Sequence, residues 1–149
     1  MARIYIDPHM FGEKWFSELI QPILSSRRSE VIYSRAVTFQ TELSRTRKAV
    51  EFYRLASSLN LVRIIDRNVV DSEIQRICEL DAWRIAECCD DPFVFAASSM
   101  APIDYVISKD QRIAHCRRLM NRILGKGHRS FAVVSTEKTF NAHKSKIIG

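Results

Sequence analysis

A chain of 149 residues with 46% hydrophobic and 27% charged side chains has the size and composition of one globular domain, residues 1–149. No apolar run approaches the roughly 20 residues of a membrane helix, and "MARIYIDPHM" lacks the basic-then-apolar pattern of a signal peptide, so a cytoplasmic protein with no membrane association is predicted. A formal net charge of +6 argues against an acidic, solvating chain and suits a polyanionic partner.

In chain order, residues 3–7 ("RIYID") alternate and read as a strand. Phe11, Trp15, Phe16, Leu19, Ile20 and Ile23 then recur at helical spacing, and Pro22 is expected to kink or break the last turn. "EVIYS" is a short second strand. A helix capped by Thr38 carries Phe39, Leu43, Ala49, Phe52, Tyr53, Ala56 and Leu59 and stops at Asn60. "LVRIID" is a third strand, followed by a helical stripe of Val70, Ile74, Ile77, Leu80 or Ala82, and Ile85, in one piece or two. Asp91 and Pro92 open the next helix. "IDYVIS" is a fourth strand, and "QRIAHCRRLMNRIL" is a helix stopped by the glycines of "GKGHR". "SFAVVS" is a fifth strand, with a short helix or tail over "TEKTFNAHK". Strands alternating with helices predict an α/β fold, a parallel sheet with helices on both faces.

The cysteines Cys78, Cys88, Cys89 and Cys116 form no C-x-x-C pair, so reduced thiols in or near the core are expected. From Lys109 to Lys146, thirteen residues are Lys, Arg or His. This run reads either as a solvated helix face or as a phosphate grip, with Lys109, Arg112, Arg117 and Arg118 as the expected nucleic-acid contacts.

The acids fall in a telling pattern. In an open parallel sheet, ligands bind beyond the C-terminal ends of the strands. Asp7 ends the first strand and Asp110 follows the fourth. Asp91 opens the helix before the fourth strand, and Glu42 lies in the opening turns of the helix after the second. Four carboxylates from distant segments are therefore expected to meet. Gathered like charges repel and raise one another's pKa, which a cation relieves. An all-oxygen donor set suits Mg²⁺ or Mn²⁺, and such a site can activate water against a phosphodiester. Each acid also has an ordinary structural use: Asp7 in a turn, Asp91 and Asp110 as helix caps, Glu42 as one exposed helix carboxylate beside Glu51.

Three stretches carry a family resemblance: "IYIDPHMF", "TELSR" and "DDPFVFAASSMAPIDYVISKDQRI". The last holds an Asp opening a small-residue helix, an apolar strand, and then Ser108-Lys109-Asp110. "SFAVVSTEKTF" fits the same pattern at the end of the chain. Over nearly its whole length the sequence resembles the PIN-domain nucleases. The resemblance implies a three-layer α/β/α sandwich around a five-stranded parallel sheet of order 3-2-1-4-5. It implies a hydrolase, a Mg²⁺- or Mn²⁺-dependent endoribonuclease similar to the VapC-type toxins of type II toxin–antitoxin pairs. An RNA substrate, an antitoxin protein and a homodimer follow from it as expected partners. Carried over, Asp7, Glu42, Asp91 and Asp110 are the catalytic, metal-binding acids, Ser108 orients Asp110 or a water, and Asp90 is a neighbouring acid. The sequence departs from the family in one respect: Pro8-His9 stands where a Thr/Ser-Asn pair often follows the first Asp.

Two other readings use the same residues. A catalytically inactive PIN-like protein would bind RNA or act as a scaffold without cleaving. A signalling receiver domain would use Asp66, Ser108 and Lys138 at the strand ends, leaving Asp91 and Asp110 without a role. No G-x-S-x-G, P-loop or dinucleotide fingerprint is present, and His9, His115, His128 and His143 form no recognisable triad or metal pattern.

Overall fold

Strand β1 (Ala2–Ile6) is the central strand of a five-stranded sheet of order β3-β2-β1-β4-β5. The structure is a computed structural model, and it describes residues 1–85, 91–123 and 131–149. Every pairing is parallel: β1 with β2 (Ser29–Ser34) and β4 (Tyr105–Ile107), β2 with β3 (Val62–Ile65), and β4 with β5 (Ala132–Val134). Helices flank this sheet in the expected three-layer α/β/α arrangement. Strands covered on both faces are apolar at consecutive positions rather than alternate ones. Ile4, Tyr5 and Ile6 on β1 and Tyr105, Val106 and Ile107 on β4 are accordingly all buried.

The first crossover is broken, but earlier than the kink or break expected at Pro22. A 3-10 turn (Pro8–Gly12) leads to a one-turn helix α1 (Lys14–Ser17), and the chain restarts as α2 (Ile20–Ser26). The break falls before Pro22, not at it. Restarting at Ile20 places the proline in a first turn, where a missing N–H costs no helical bond.

The second crossover is also two helices, α3 (Val37–Ser44) and α4 (Arg47–Ser58), split at Arg45 and Thr46. Thr38 is not the cap of α3; Ala36 holds that position, with its N–H on Ser34 Oγ at 3.0 Å. Asn60 ends α4 in a left-handed conformation (φ 56°) that asparagine tolerates. Among the described residues the third crossover carries three helices, α5 (Arg67–Cys78), α6 (Asp81–Ile85) and α7 (Phe93–Met100), so the stripe read as one piece or two is two. Helix α8 (Gln111–Ile123) follows β4, and its glycine stop lies outside the described residues. The last segment is a full helix, α9 (Glu137–Ile147), opened by a reciprocal cap between Thr136 and Thr139.

Cys116 on α8 is disulfide-bonded and Cys78 is free, which corrects the expectation of reduced thiols throughout. Among the described residues no helix is long and apolar enough to cross a membrane.

The strand order creates the place where a site can form. From β1 the chain moves outward through β2 to β3, then returns to the other side of β1 for β4 and β5. The crossovers diverge at the β1/β4 boundary, leaving a crevice at the carboxyl ends of those strands. Ile6 is in register with Ile107, so Asp7 and Ser108 emerge there side by side.

Candidate functional site

A cavity of about 550 Å³ opens at this crevice. Asp7, Glu42, Asp91 and Asp110 all line it, together with Arg45 and Arg112. Its floor is aromatic. Phe39 of α3 stacks on Phe93 of α7 with ring centroids 5.6 Å apart, and both rings pack on Tyr5 of β1. That packing places the acids. Asp7 is two residues beyond Tyr5 on the same strand face, Glu42 is one helical turn beyond Phe39, and Asp91 is two residues before Phe93.

Asp7 is buried, and both of its oxygens are engaged. Ser108 donates its hydroxyl to Oδ2 at 2.9 Å, and His9 Nδ1 lies 2.9 Å from Oδ1. Asp7 stands before the 3-10 turn, but its carboxylate caps nothing. Ser108 Oγ in turn accepts the backbone N–H of Asp110 at 3.1 Å, so one hydroxyl ties the two strand-end acids together. The serine thus orients Asp7 directly and Asp110 through its backbone. His9 has its pKa raised, first by the hydrogen bond to Asp7, with burial opposing. On the far side of the ring, the N–H of Lys109 points at Nε2 over 3.4 Å. That long contact favours a neutral ring, but the short carboxylate contact outweighs it.

Glu42 stands at the cavity rim. Its carboxyl is pushed above the usual range, by desolvation first and then by Asp7 and Asp91. Tyr5, fully buried beneath the acids, is held well above the ordinary phenol range by its burial and then by Asp7 and Asp91, so it stays neutral. Asp91 accepts the N–H of Phe93 on Oδ1 at 3.2 Å, the cap-like use open to it from sequence, while also facing the cavity. Asp110 is gripped by Arg112. The guanidinium places Nε 3.0 Å from Oδ1 and Nη2 2.9 Å from Oδ2, and the Arg112 backbone N–H reaches Oδ1 at 3.0 Å. The arginine holds the Asp110 carboxyl below the usual range.

The basic run divides. Arg112 lines the cavity, whereas Lys109 Nζ bonds Glu13 Oε1 at 2.8 Å and Arg117 donates to the Phe131 carbonyl at 2.7 Å. Helical geometry accounts for the split: at roughly 100° per residue, Arg117 lies about 140° around α8 from Arg112. Arg118 is exposed and does not line the cavity. Arg45 is a cavity cation that the basic run did not signal. Its position one turn after Glu42 would have found it. Asp90 lies outside the described residues.

Asp66 is elsewhere. It ends the edge strand β3, two strands away from β1, and caps α5 by accepting from the N–H groups of Asn68 and Val69. Lys138 follows β5 at the opposite edge of the sheet, so the strand order keeps the receiver-like grouping apart.

The donor chemistry of the four acids suits a hard divalent cation. As the side chains stand, no group of three or more His, Cys, Asp or Glu among the described residues is arranged to hold an ion. Asp7 and Asp110, each with both oxygens on protein donors, show what an ion would have to share or displace. No protein-family model, curated protein or solved structure matches the chain.

Proposed function

We propose that the chain is a Mg²⁺- or Mn²⁺-dependent endoribonuclease that hydrolyses RNA phosphodiester bonds. The observation that carries this reading is that Asp7, Glu42, Asp91 and Asp110, from four separated segments, line one crevice at the switch point of a parallel sheet. Those four side chains would hold the ion, which supplies Lewis-acid activation of water and of the phosphoryl group. Asp7, fixed by Ser108 and His9, is the anchor of the set. Glu42, across the cavity on α3, completes the set from the rim. Arg45 and Arg112 at the rim would receive RNA phosphates.

The resemblance to VapC-type toxins extends this reading to the toxin of a type II pair, with an antitoxin chain, a homodimer and a cytoplasmic location. Among the described residues the Cys116 disulfide is at odds with a reducing compartment.

One observation favours a second reading, a catalytically inactive RNA-binding or scaffold protein. Cationic or donor groups of the chain itself already occupy Asp7 and Asp110. The deciding experiment is incubation of labelled single-stranded RNA with Mg²⁺, Mn²⁺ or EDTA, using wild type, Asp7→Asn and Asp110→Asn. The nuclease reading expects cleavage by wild type alone, abolished by EDTA. Salt-sensitive RNA binding without cleavage in any metal would establish the second reading.

A further inference from the structure

We propose that Arg112 is a built-in counterion that occupies Asp110 and gives it up in exchange for a phosphodiester entering the cavity. The inference rests on the nuclease reading above and adds a regulation of its site. Two parallel N–H···O bonds at 3.0 and 2.9 Å form the planar fork with which arginine recognises carboxylate, and the same fork fits a phosphate. The guanidinium satisfies Asp110 in place of a cation.

The pair is placed to be broken. The Arg112 side chain is 54% exposed and that of Asp110 is 23% exposed. Ion pairs this accessible are weak, so exchanging one anionic partner for another meets little resistance. Both residues line the cavity that Asp7, Glu42 and Asp91 share, so a phosphate entering there reaches the fork without any backbone movement. Once the Arg112 side chain turns to the phosphate, Oδ2 of Asp110 is released to join the other three acids, while Oδ1 keeps only the Arg112 backbone N–H. Metal and RNA then each favour the other, since a coupling between two ligands is reciprocal. Free of RNA, the protein holds its divalent ion weakly.

The test uses Mn²⁺ alone and a single-stranded RNA in EDTA. Calorimetry gives the Mn²⁺ affinity, and fluorescence anisotropy gives the RNA affinity, for wild type, Arg112→Gln, Arg45→Gln, Asp110→Asn and the Asp110→Asn/Arg112→Gln double variant. Arg112→Gln is expected to bind Mn²⁺ several-fold more tightly than wild type and RNA several-fold more weakly. In the Asp110→Asn background, Arg112→Gln is expected to leave Mn²⁺ affinity unchanged, because the blocked carboxylate is gone. Arg45→Gln removes the same charge from the same cavity without touching Asp110. An equal rise in its Mn²⁺ affinity would reduce the effect to bulk electrostatics and overturn the proposal. If wild type binds Mn²⁺ and cleaves RNA but Arg112→Gln binds Mn²⁺ no better, the counterion role fails and the nuclease reading stands. If neither protein binds Mn²⁺ nor cleaves, both fail.

Discussion

Ser108 donates its hydroxyl to Asp7 Oδ2 across 2.9 Å, joining residues 101 positions apart at the ends of the two strands that flank the switch point. The bond is buried, and the same oxygen accepts the N–H of Asp110. Ser108→Ala therefore strands two polar partners at once. A buried group left unsatisfied costs about 1–3 kcal/mol. The expected result is a folded but less stable protein whose RNA cleavage falls, whereas Ser108→Thr, which keeps the hydroxyl, retains most of both. Urea melts and cleavage rates for the two variants check this. Equal behaviour of alanine and threonine would show that the hydroxyl has no part in holding Asp7.

The aromatic floor makes a separable prediction. Phe39→Ala removes a ring that is almost fully buried and touches both Tyr5 and Phe93. A Phe→Ala change in a core costs about 3–5 kcal/mol, and at roughly 2–4 °C per kcal/mol for a chain of this size the melting temperature should fall by about 10 °C. Phe140→Ala, in a ring packed on Trp15, should cost a similar amount. The two should differ in their response to added Mg²⁺. Binding to the folded state raises the melting temperature by mass action. Phe39→Ala loosens the helix that carries Glu42 and should lose that rise, while Phe140→Ala should keep it. Thermal melts with and without Mg²⁺ read both effects.

What the sequence made legible follows from the physics of each feature. Asp7 and Asp110 stood out because an acid closing an apolar strand interrupts a strong pattern, and in a parallel sheet all such ends face one edge. The five strands and their alternation with helices were visible for the same reason. The break between α3 and α4 leaves only a faint trace, a jump in apolar spacing from Leu43 to Ala49 that interrupts the helical period. Phe11 and Phe16, spaced as if on one helix, instead pack edge to face from the 3-10 turn and α1, a tertiary contact that local propensity does not register. His9 and Arg112 as partners of the acids were invisible, since a side-chain pairing is set by rotamers and leaves no periodic trace. The basic run misled in part because charge counted along a line is spread around a helix, sending Arg117 to Phe131 and Arg112 to Asp110.

Glu42 and His9 give opposite pH signatures. The folded-state pKa of Glu42 is raised by desolvation and by Asp7 and Asp91, so its charged form is a liability of the fold. That liability is present above the raised pKa and is relieved as pH falls through it. Glu42→Gln should therefore melt higher than wild type near neutral pH and no higher below about pH 4, where the unfolded carboxyl is also protonated. His9 is raised by its bond to Asp7, so its contribution is complete below the ordinary histidine pKa and is lost as pH rises through the folded value. His9→Gln should be less stable than wild type at about pH 5.5 and closer to it at about pH 9. A pH series of thermal melts on the three proteins checks both signs. A Glu42→Gln protein no more stable than wild type at neutral pH would remove the like-charge repulsion on which the ion-binding proposal leans.

The division of the basic residues predicts which of them RNA feels. Arg45 and Arg112 line the cavity, Arg118 is exposed outside it, and Arg117 is committed to Phe131. Each phosphate contact on single-stranded RNA contributes about 0.7 to the slope of log affinity against log salt. Arg45→Gln should weaken RNA binding several-fold and flatten that slope by about one contact's worth. Arg118→Gln should change the slope little. Arg117→Gln should instead lower the melting temperature, since it frees the Phe131 carbonyl at the start of β5, and leave the slope unchanged. Anisotropy titrations across a range of salt, paired with melts, separate these outcomes. A slope that drops for Arg118→Gln and not for Arg45→Gln would move the RNA path off the crevice and onto the outer face of α8, and with it the reason for placing the phosphodiester beside the four acids.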